Sequence, residues 1–297
     1  MTQLIDAHGD IAGVAGTDKS APLCRAVDNG HATLPRYARL PLNRCNLPAV
    51  ILGSLTFQRH PTALQLDGVA ELHADLFRRL ERAAGAMERA QTFRDYMTVH
   101  FCLEHLEDAG LSEASQRHAR ANWARLLLGW GFNADGIEAA VLKGWVESRF
   151  GLLPRFHGEP LRDFSGAAYR RYLEMRAAGL CGSNALEGQL DLVYAYCQDE
   201  YRRAASDPSI RLYRGINRIG EHEVLAQAGR SQVVLFNNLT SFTSSRERAG
   251  EFGDYILAAE VPLAKVFCHC RLLPGVLRGE DEHLVIGGAY EVDIRTM

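Results

Sequence analysis

The feature that most restricts the fold of this chain is a change of texture near residue 205. Before it, apolar residues recur at helical spacing. Leu72, Leu76 and Leu80 stand four apart, Phe93, Met97, Phe101 and Leu106 continue a similar stripe, and Tyr169, Tyr172, Leu173 and Met175 precede Gly179. Leu186, Leu190, Val193, Tyr194 and Cys197 follow it. These stripes predict helix over 62–110, 112–128 with Ser112 as N-cap, and 165–204. After the change, β-favouring runs crowd together at Ser209–Ile216, 233–236, 256–261, 266–270, 284–286 and 290–294, with a short helix-like stretch around 221–228. Helices first and strands grouped late imply an α+β architecture, not alternating βαβ units. The expected division is a mainly helical region over 1–205, irregular over 1–33, and a sheet-rich module over 206–297, with a soft boundary and a shared interface.

A length of 297 residues and 47% hydrophobic composition suffice for a large core. A formal net charge of -3 supplies no basic field for nucleic acid or an anionic membrane, so partners must be argued from sites. No basic segment leading into an apolar run opens the chain, and no run of eighteen apolar residues occurs, so neither an export signal nor a membrane span is expected. The 7 cysteines lack paired short spacings and fit reduced thiols in a cytoplasm.

The polar candidates gather late. Glu280 and Glu282 stand two apart before the apolar run Leu284-Val285-Ile286, so on a strand they share a face. Upstream lie Arg214, in Leu-Tyr-Arg-Gly, and the hydroxyl cluster Ser241-Phe242-Thr243-Ser244-Ser245. Each has an ordinary explanation in a surface ion pair, a helix cap or a solvated acidic pair. Together they suit an anionic substrate that reacts through a cation: arginine grips phosphate, hydroxyls brace it, and a carboxylate opposes developing positive charge.

Two groupings raise metal binding. Asp6, His8 and Asp10 read as solvated polar residues, and Cys268-His269-Cys270 lacks a second pair and alternates faces along a strand. Asn43, Arg44 and Asn46, in the proline-rich stretch 34–57, read as turn chemistry. Gly129-Trp130-Gly131-Phe132, placed just after a helix, is either a flat binding surface or rings packed against close backbone.

In order and neighbours, Arg214, the hydroxyl strand with Arg246 to Phe252 after it, and Glu280-Asp281-Glu282 resemble the arginine-directed mono-ADP-ribosyltransferases. The stretches 42–48, 129–132 and 143–152 resemble, within that group, the dinitrogenase reductase ADP-ribosyltransferases of nitrogen-fixing bacteria, and the resemblance covers most of the chain from about Leu34. It implies a core of two small antiparallel or mixed β-sheets. It also implies transfer of ADP-ribose from NAD to one arginine of dinitrogenase reductase, the nitrogenase iron protein, which switches nitrogen fixation off. A PII signalling protein would regulate the enzyme, and no metal would enter the chemistry.

Carried onto this chain, the resemblance makes Glu282 the carboxylate beside the ribosyl cation and Glu280 the group that holds and deprotonates the incoming guanidinium. Arg214 grips the NAD phosphate and ribose side, and the Gly215 backbone approaches the nicotinamide amide. Ser244, with Thr243 or Ser245, orders Arg214 and Glu282, although Ser241 lies close enough to leave the register open. Phe252 is either a wall against the nicotinamide or a core aromatic. The loop 272–279 carries no aromatic to choose the target arginine, and Arg278 is the residue to take that part. The rival readings are an NAD glycohydrolase and a non-catalytic module that binds NAD or PII.

Overall fold

Helix and strand divide in the expected order. A computed structural model describes residues 43–103, 122–180, 184–218, 222–273 and 281–296. Short helices α1 (Ala49–Leu52), α2 (Leu55–Arg59) and α3 (Val69–Leu72) lead into α4 (Ala74–Arg82) and α5 (Ala86–His100). The single stripe read over 62–110 is thus broken, since Gly68 takes a left-handed φ of 76° and Gly85 an extended one. Next come α6 (Trp123–Phe132), α7 (Ile137–Phe150), α8 (Ala167–Leu180) and α9 (Asn184–Ala204). Ser112, Asp6, His8 and Asp10 lie outside the described residues.

Helix α6 begins where the Asn122 side chain accepts from Arg125 N at 3.0 Å, and it runs through Gly129-Trp130-Gly131-Phe132, which the sequence placed just after a helix. Two glycines weaken a helix by about 1 kcal/mol each. Burial of Trp123, Leu126, Leu127 and Trp130 along one side offsets that cost. Helix α7 is buried on nearly every side, carrying Val141, Leu142, Trp145, Val146 and Phe150 into the core, and it ends at Gly151 with φ 68°.

A two-stranded ribbon, β1 (Phe156–His157) and β2 (Glu159–Pro160), precedes α8. The main strands are β3 (Ser209–Ile216), β4 (Glu223–Ala228), β5 (Ser231–Thr243), β6 (Tyr255–Pro262), β7 (Val266–His269) and β8 (Glu282–Thr296). One-turn helix α10 (Arg246–Gly250) sits between β5 and β6. The strand order is β4-β5-β3-β6-β8-β7, with β5 also paired to β8 and every pairing antiparallel.

Three expectations are corrected here. The two small sheets are one six-stranded antiparallel sheet turned back on itself, because β5 and β8, 13 and 15 residues long, are long enough to pair with each other and with flanking strands. The segments 284–286 and 290–294 are one continuous strand. It bends at Gly288, with φ 115°, opposite a register shift between Phe236 and Leu239. The helix-like stretch is β4, hairpinned to β5 through Gly229 at φ 61°. Its Glu-Val-Leu-Ala-Gln-Ala composition favours helix weakly, and pairing along β5 overrides so short a preference.

The sheet has two apolar faces. Leu239, Leu284 and Ile286 join Leu52, Trp130, Trp145, Phe150 and Tyr194 of the helical region in one core cluster. The alternate residues Phe242 and Val285 join Leu212, Ile216, Phe236 and Tyr290 in a second. Among the described residues, no helix is long and apolar enough to cross a membrane.

Candidate active site

Three strands meet at one level of the sheet. Tyr213 pairs with Thr243 and Thr243 with Glu282, which brings the end of β5 between the arginine strand and the start of β8. Strand parity then sorts the side chains. Ser241 and Glu282 share the face of Leu239, Leu284 and Ile286, toward the helical region, while Arg214 belongs with Leu212 and Ile216.

Hydrogen bonds close the group. Arg214 Nη1 donates to the Ser241 carbonyl at 2.8 Å, and Ser241 Oγ donates to Glu282 Oε1 at 2.6 Å. Trp130 Nε1 donates to Ser241 Oγ at 2.8 Å. The brace expected of Ser244 is therefore supplied by Ser241, whose carbonyl holds the arginine while its hydroxyl holds the glutamate. Ser244 is exposed. Thr243 Oγ1 accepts from Ser245 N at 3.2 Å, and Ser245 caps α10 by accepting from Arg248 N at 3.2 Å, so both finish the strand and start the helix.

Arg214 is a cation in search of an anion. Among the described residues no carboxylate forms an ion pair with it, and its Nε is buried without a partner. Burial draws its guanidinium pKa down, and the charge of Glu282 opposes that shift. His222 lies in the same field. Burial first, then Arg214, push its imidazole down to about 4, and its Nε2 is also buried and unpartnered. The orphaned Arg214 Nε and His222 Nε2 fit the phosphate and ribose of a bound nucleotide, since a buried polar atom left unsatisfied is costly.

Gly215 and Gly253 have a packing duty. A Cβ on Gly215 would fall 1.8 Å from the Ala249 carbonyl oxygen and one on Gly253 2.3 Å from Ile216 C, so α10 closes directly on β3. Phe252, just past α10, is 57% exposed, which removes the core alternative. Glu280 and Arg278 lie outside the described residues.

Before Glu282, Asp281 takes a left-handed φ of 64°. Its Oδ1 is 3.2 Å from His269 Nε2 and 3.0 Å from Arg271 Nη2, and His269 stacks on His283 with ring centroids 3.7 Å apart. The potential ligand atoms of His269, Cys270 and Asp281 lie within 4.8 Å of one another. Arg271 already neutralises the carboxylate a cation would need, so the cluster reads as an ion-pair network that anchors the start of β8.

Sequence reasoning fell short at three residues of this group: Ser241, which it left only as an open register, Trp130, its donor, and His222. Strand parity held the signal for the first, because Phe242 in the core obliges Ser241 and Thr243 to face the other way. Nothing local marks His222, which reaches Arg214 only through the hairpin of β4.

A family model described as dinitrogenase reductase ADP-ribosyltransferase matches residues 42–294. A relative from Rhodospirillum rubrum, named NAD(+)--dinitrogen-reductase ADP-D-ribosyltransferase, is 39% identical over 256 residues, which cover 84% of this chain and 93% of that protein. No solved structure matches the chain.

Proposed function

The chain belongs to the dinitrogenase reductase ADP-ribosyltransferase family, and we propose that it transfers ADP-ribose from NAD to an arginine of dinitrogenase reductase, releasing nicotinamide. One observation carries the assignment of the chemistry to residues: Arg214, unpaired, and Glu282, braced, are joined through the single residue Ser241. An anion grip and a fixed carboxylate linked through one residue are what an anionic substrate that ionises to a cation requires.

In this reading the sheet-rich part from about residue 206 carries the chemistry and the helical region frames it. Arg214, with His222 beside it, holds the phosphate and ribose side of NAD. Phe252, exposed past α10, offers an aromatic face to the nicotinamide ring, and the Gly215 backbone borders it. The bond between the ribose C1′ and the nicotinamide nitrogen breaks, and its electron pair leaves with nicotinamide. Glu282 stabilises the positive charge left on the ribosyl carbon, as a carboxylate does in glycoside cleavage. A guanidinium nitrogen of the acceptor forms the new bond to C1′ and gives its proton to Glu280.

Arginine as acceptor and a PII protein as regulator rest on the family resemblance in the sequence. Cys45, Cys102, Cys197, Cys268 and Cys270 are free thiols, in keeping with a cytoplasmic setting.

The test is incubation with adenylate-labelled NAD and dinitrogenase reductase, with the modified residue mapped by mass spectrometry. Label on one arginine of the acceptor is the expected outcome. Nicotinamide release with no label on the acceptor would make the protein an NAD glycohydrolase, and no nicotinamide release at all would leave a binding module.

A further inference from the structure

Trp130 of α6, outside the sheet, hydrogen-bonds the Arg214–Ser241–Glu282 group through the Ser241 hydroxyl. We infer that Trp130 is a positioning residue for the transfer reaction, through which the helical region fixes the orientation of the Glu282 carboxylate. The inference rests on the function proposed above.

The polarity of the bonds carries it. An indole nitrogen only donates, so at 2.8 Å the Ser241 hydroxyl oxygen is the acceptor. That hydroxyl has one hydrogen, and with its oxygen pinned by the indole the hydrogen is directed along the 2.6 Å contact to Glu282 Oε1. Without the indole, the hydroxyl is free to rotate toward other acceptors and the carboxylate loses its constant donor. A carboxylate that must face a short-lived cation has to be held before the charge develops, so disorder there lowers the chemical rate more than substrate binding.

The indole is itself held rigidly. Trp130 is 4% exposed, and the Lys143 ammonium lies 5.8 Å from its ring centroid. Lys143 donates to Ala134 O at 2.7 Å, to Asp135 Oδ1 at 3.0 Å and to Phe156 O at 3.0 Å, which ties the turn after α6 to α7 and the β1–β2 ribbon. Gly129 lets α6 pack against α7, since a Cβ there would fall 2.5 Å from the Glu138 side chain. The strand is gripped as well: Asn238, three residues before Ser241, donates to Lys143 O at 2.8 Å and Leu152 O at 2.9 Å. The helical region therefore holds both the indole and the strand it addresses, and displacement of α6 from β5 would break the indole–hydroxyl bond before it disturbed Arg214.

The test compares full-length wild type with Trp130→Phe, which keeps an aromatic ring and removes the N–H. A second variant replaces Trp130 with benzothienylalanine, which keeps the indole shape as well. Expected are a fall in kcat of about ten- to a hundred-fold and a KM for NAD within about twofold of wild type. Combining either replacement with Ser241→Ala should cost no more than Ser241→Ala alone, because the two residues act on one carboxylate. Wild-type kcat in the benzothienylalanine protein overturns the inference, as do losses that multiply in the double variant or a change confined to KM. If the wild type only hydrolyses NAD, the same comparison is read from nicotinamide release, and the inference stands or falls separately from the choice of acceptor. Wild-type protein that neither releases nicotinamide nor labels dinitrogenase reductase removes the proposed function and the inference with it.

Discussion

At the scale of single residues, two hydroxyls three positions apart have opposite expectations. Ser241 touches Glu282 and Arg214, whereas Ser244 is exposed. Ser241→Ala should lower kcat at least about ten-fold, since a charge-assisted bond is worth roughly 1.5–3 kcal/mol, and Ser244→Ala should leave it within about twofold. Steady-state transfer rates for the two variants decide the register, and a loss confined to Ser244→Ala would return the brace to Ser244. Glu282→Gln should cost about a hundred- to a thousand-fold while thermal unfolding stays unchanged, because the amide keeps the shape and loses the charge. Wild-type transfer by that variant would remove Glu282 from the chemistry. Arg214 and Glu282 stand out in the sequence as an arginine on one strand and a carboxylate opening another, and the roles proposed for them come from the family resemblance. The brace could not be chosen there, because five residues with four hydroxyls offer several registers, and strand parity leaves both Ser241 and Thr243 on the face of Glu282 until the 2.6 Å bond selects Ser241.

At the scale of elements, the contact between β3 and α10 depends on the absence of side chains. Gly215→Ala would place a methyl 1.8 Å from the Ala249 carbonyl oxygen, and backbone cannot rotate aside as a side chain can. The helix must move or the strand must bend, at a cost of roughly 1–3 kcal/mol. Thermal unfolding should show a lower Tm for Gly215→Ala, and NAD binding should weaken with it because Arg214 is the preceding residue. An unchanged Tm would mean that α10 does not pack on β3 as described. Element types were mostly legible: helical stripes became α4, α5, α8 and α9, and alternating runs became β3, β6 and β7. The errors fell where local preference was weak. Six residues of β4 follow β5 against their composition, and Gly129 of α6 and Gly287 of β8 stand where a Cβ would collide with the Glu138 side chain and the Asn237 carbonyl oxygen.

At the scale of the whole molecule, the segment carrying α1 and α2 laces onto the last strands. Gly53 O accepts from Ala289 N at 2.8 Å, and Gln58 bonds the backbone of Glu260 and Glu291. Lys265 completes this lacing at a thermodynamic cost. It is fully buried, donates to Leu52 O at 3.1 Å and lies 4.4 Å from the Tyr290 ring centroid, and among the described residues no carboxylate pairs with it. Burial drives its pKa down from 10.5 to about 7. Below pH 7 the lysine is charged in both states and the folded protein bears the full cost of burying the charge. As the pH rises from 7 toward 10.5, the unfolded chain holds the proton that the folded one has released, so this group makes the protein more stable with rising pH. The effect is on the order of a few kcal/mol. Lys265→Met removes it, leaving Leu52 O without its donor as the smaller opposing loss. Urea unfolding of both proteins from pH 6.5 to 9.5 should show the variant more stable at the acid end, with the difference shrinking as the pH rises. Parallel profiles would mean that Lys265 keeps its proton throughout, and that the Tyr290 ring and the Leu52 carbonyl compensate a buried ammonium almost completely.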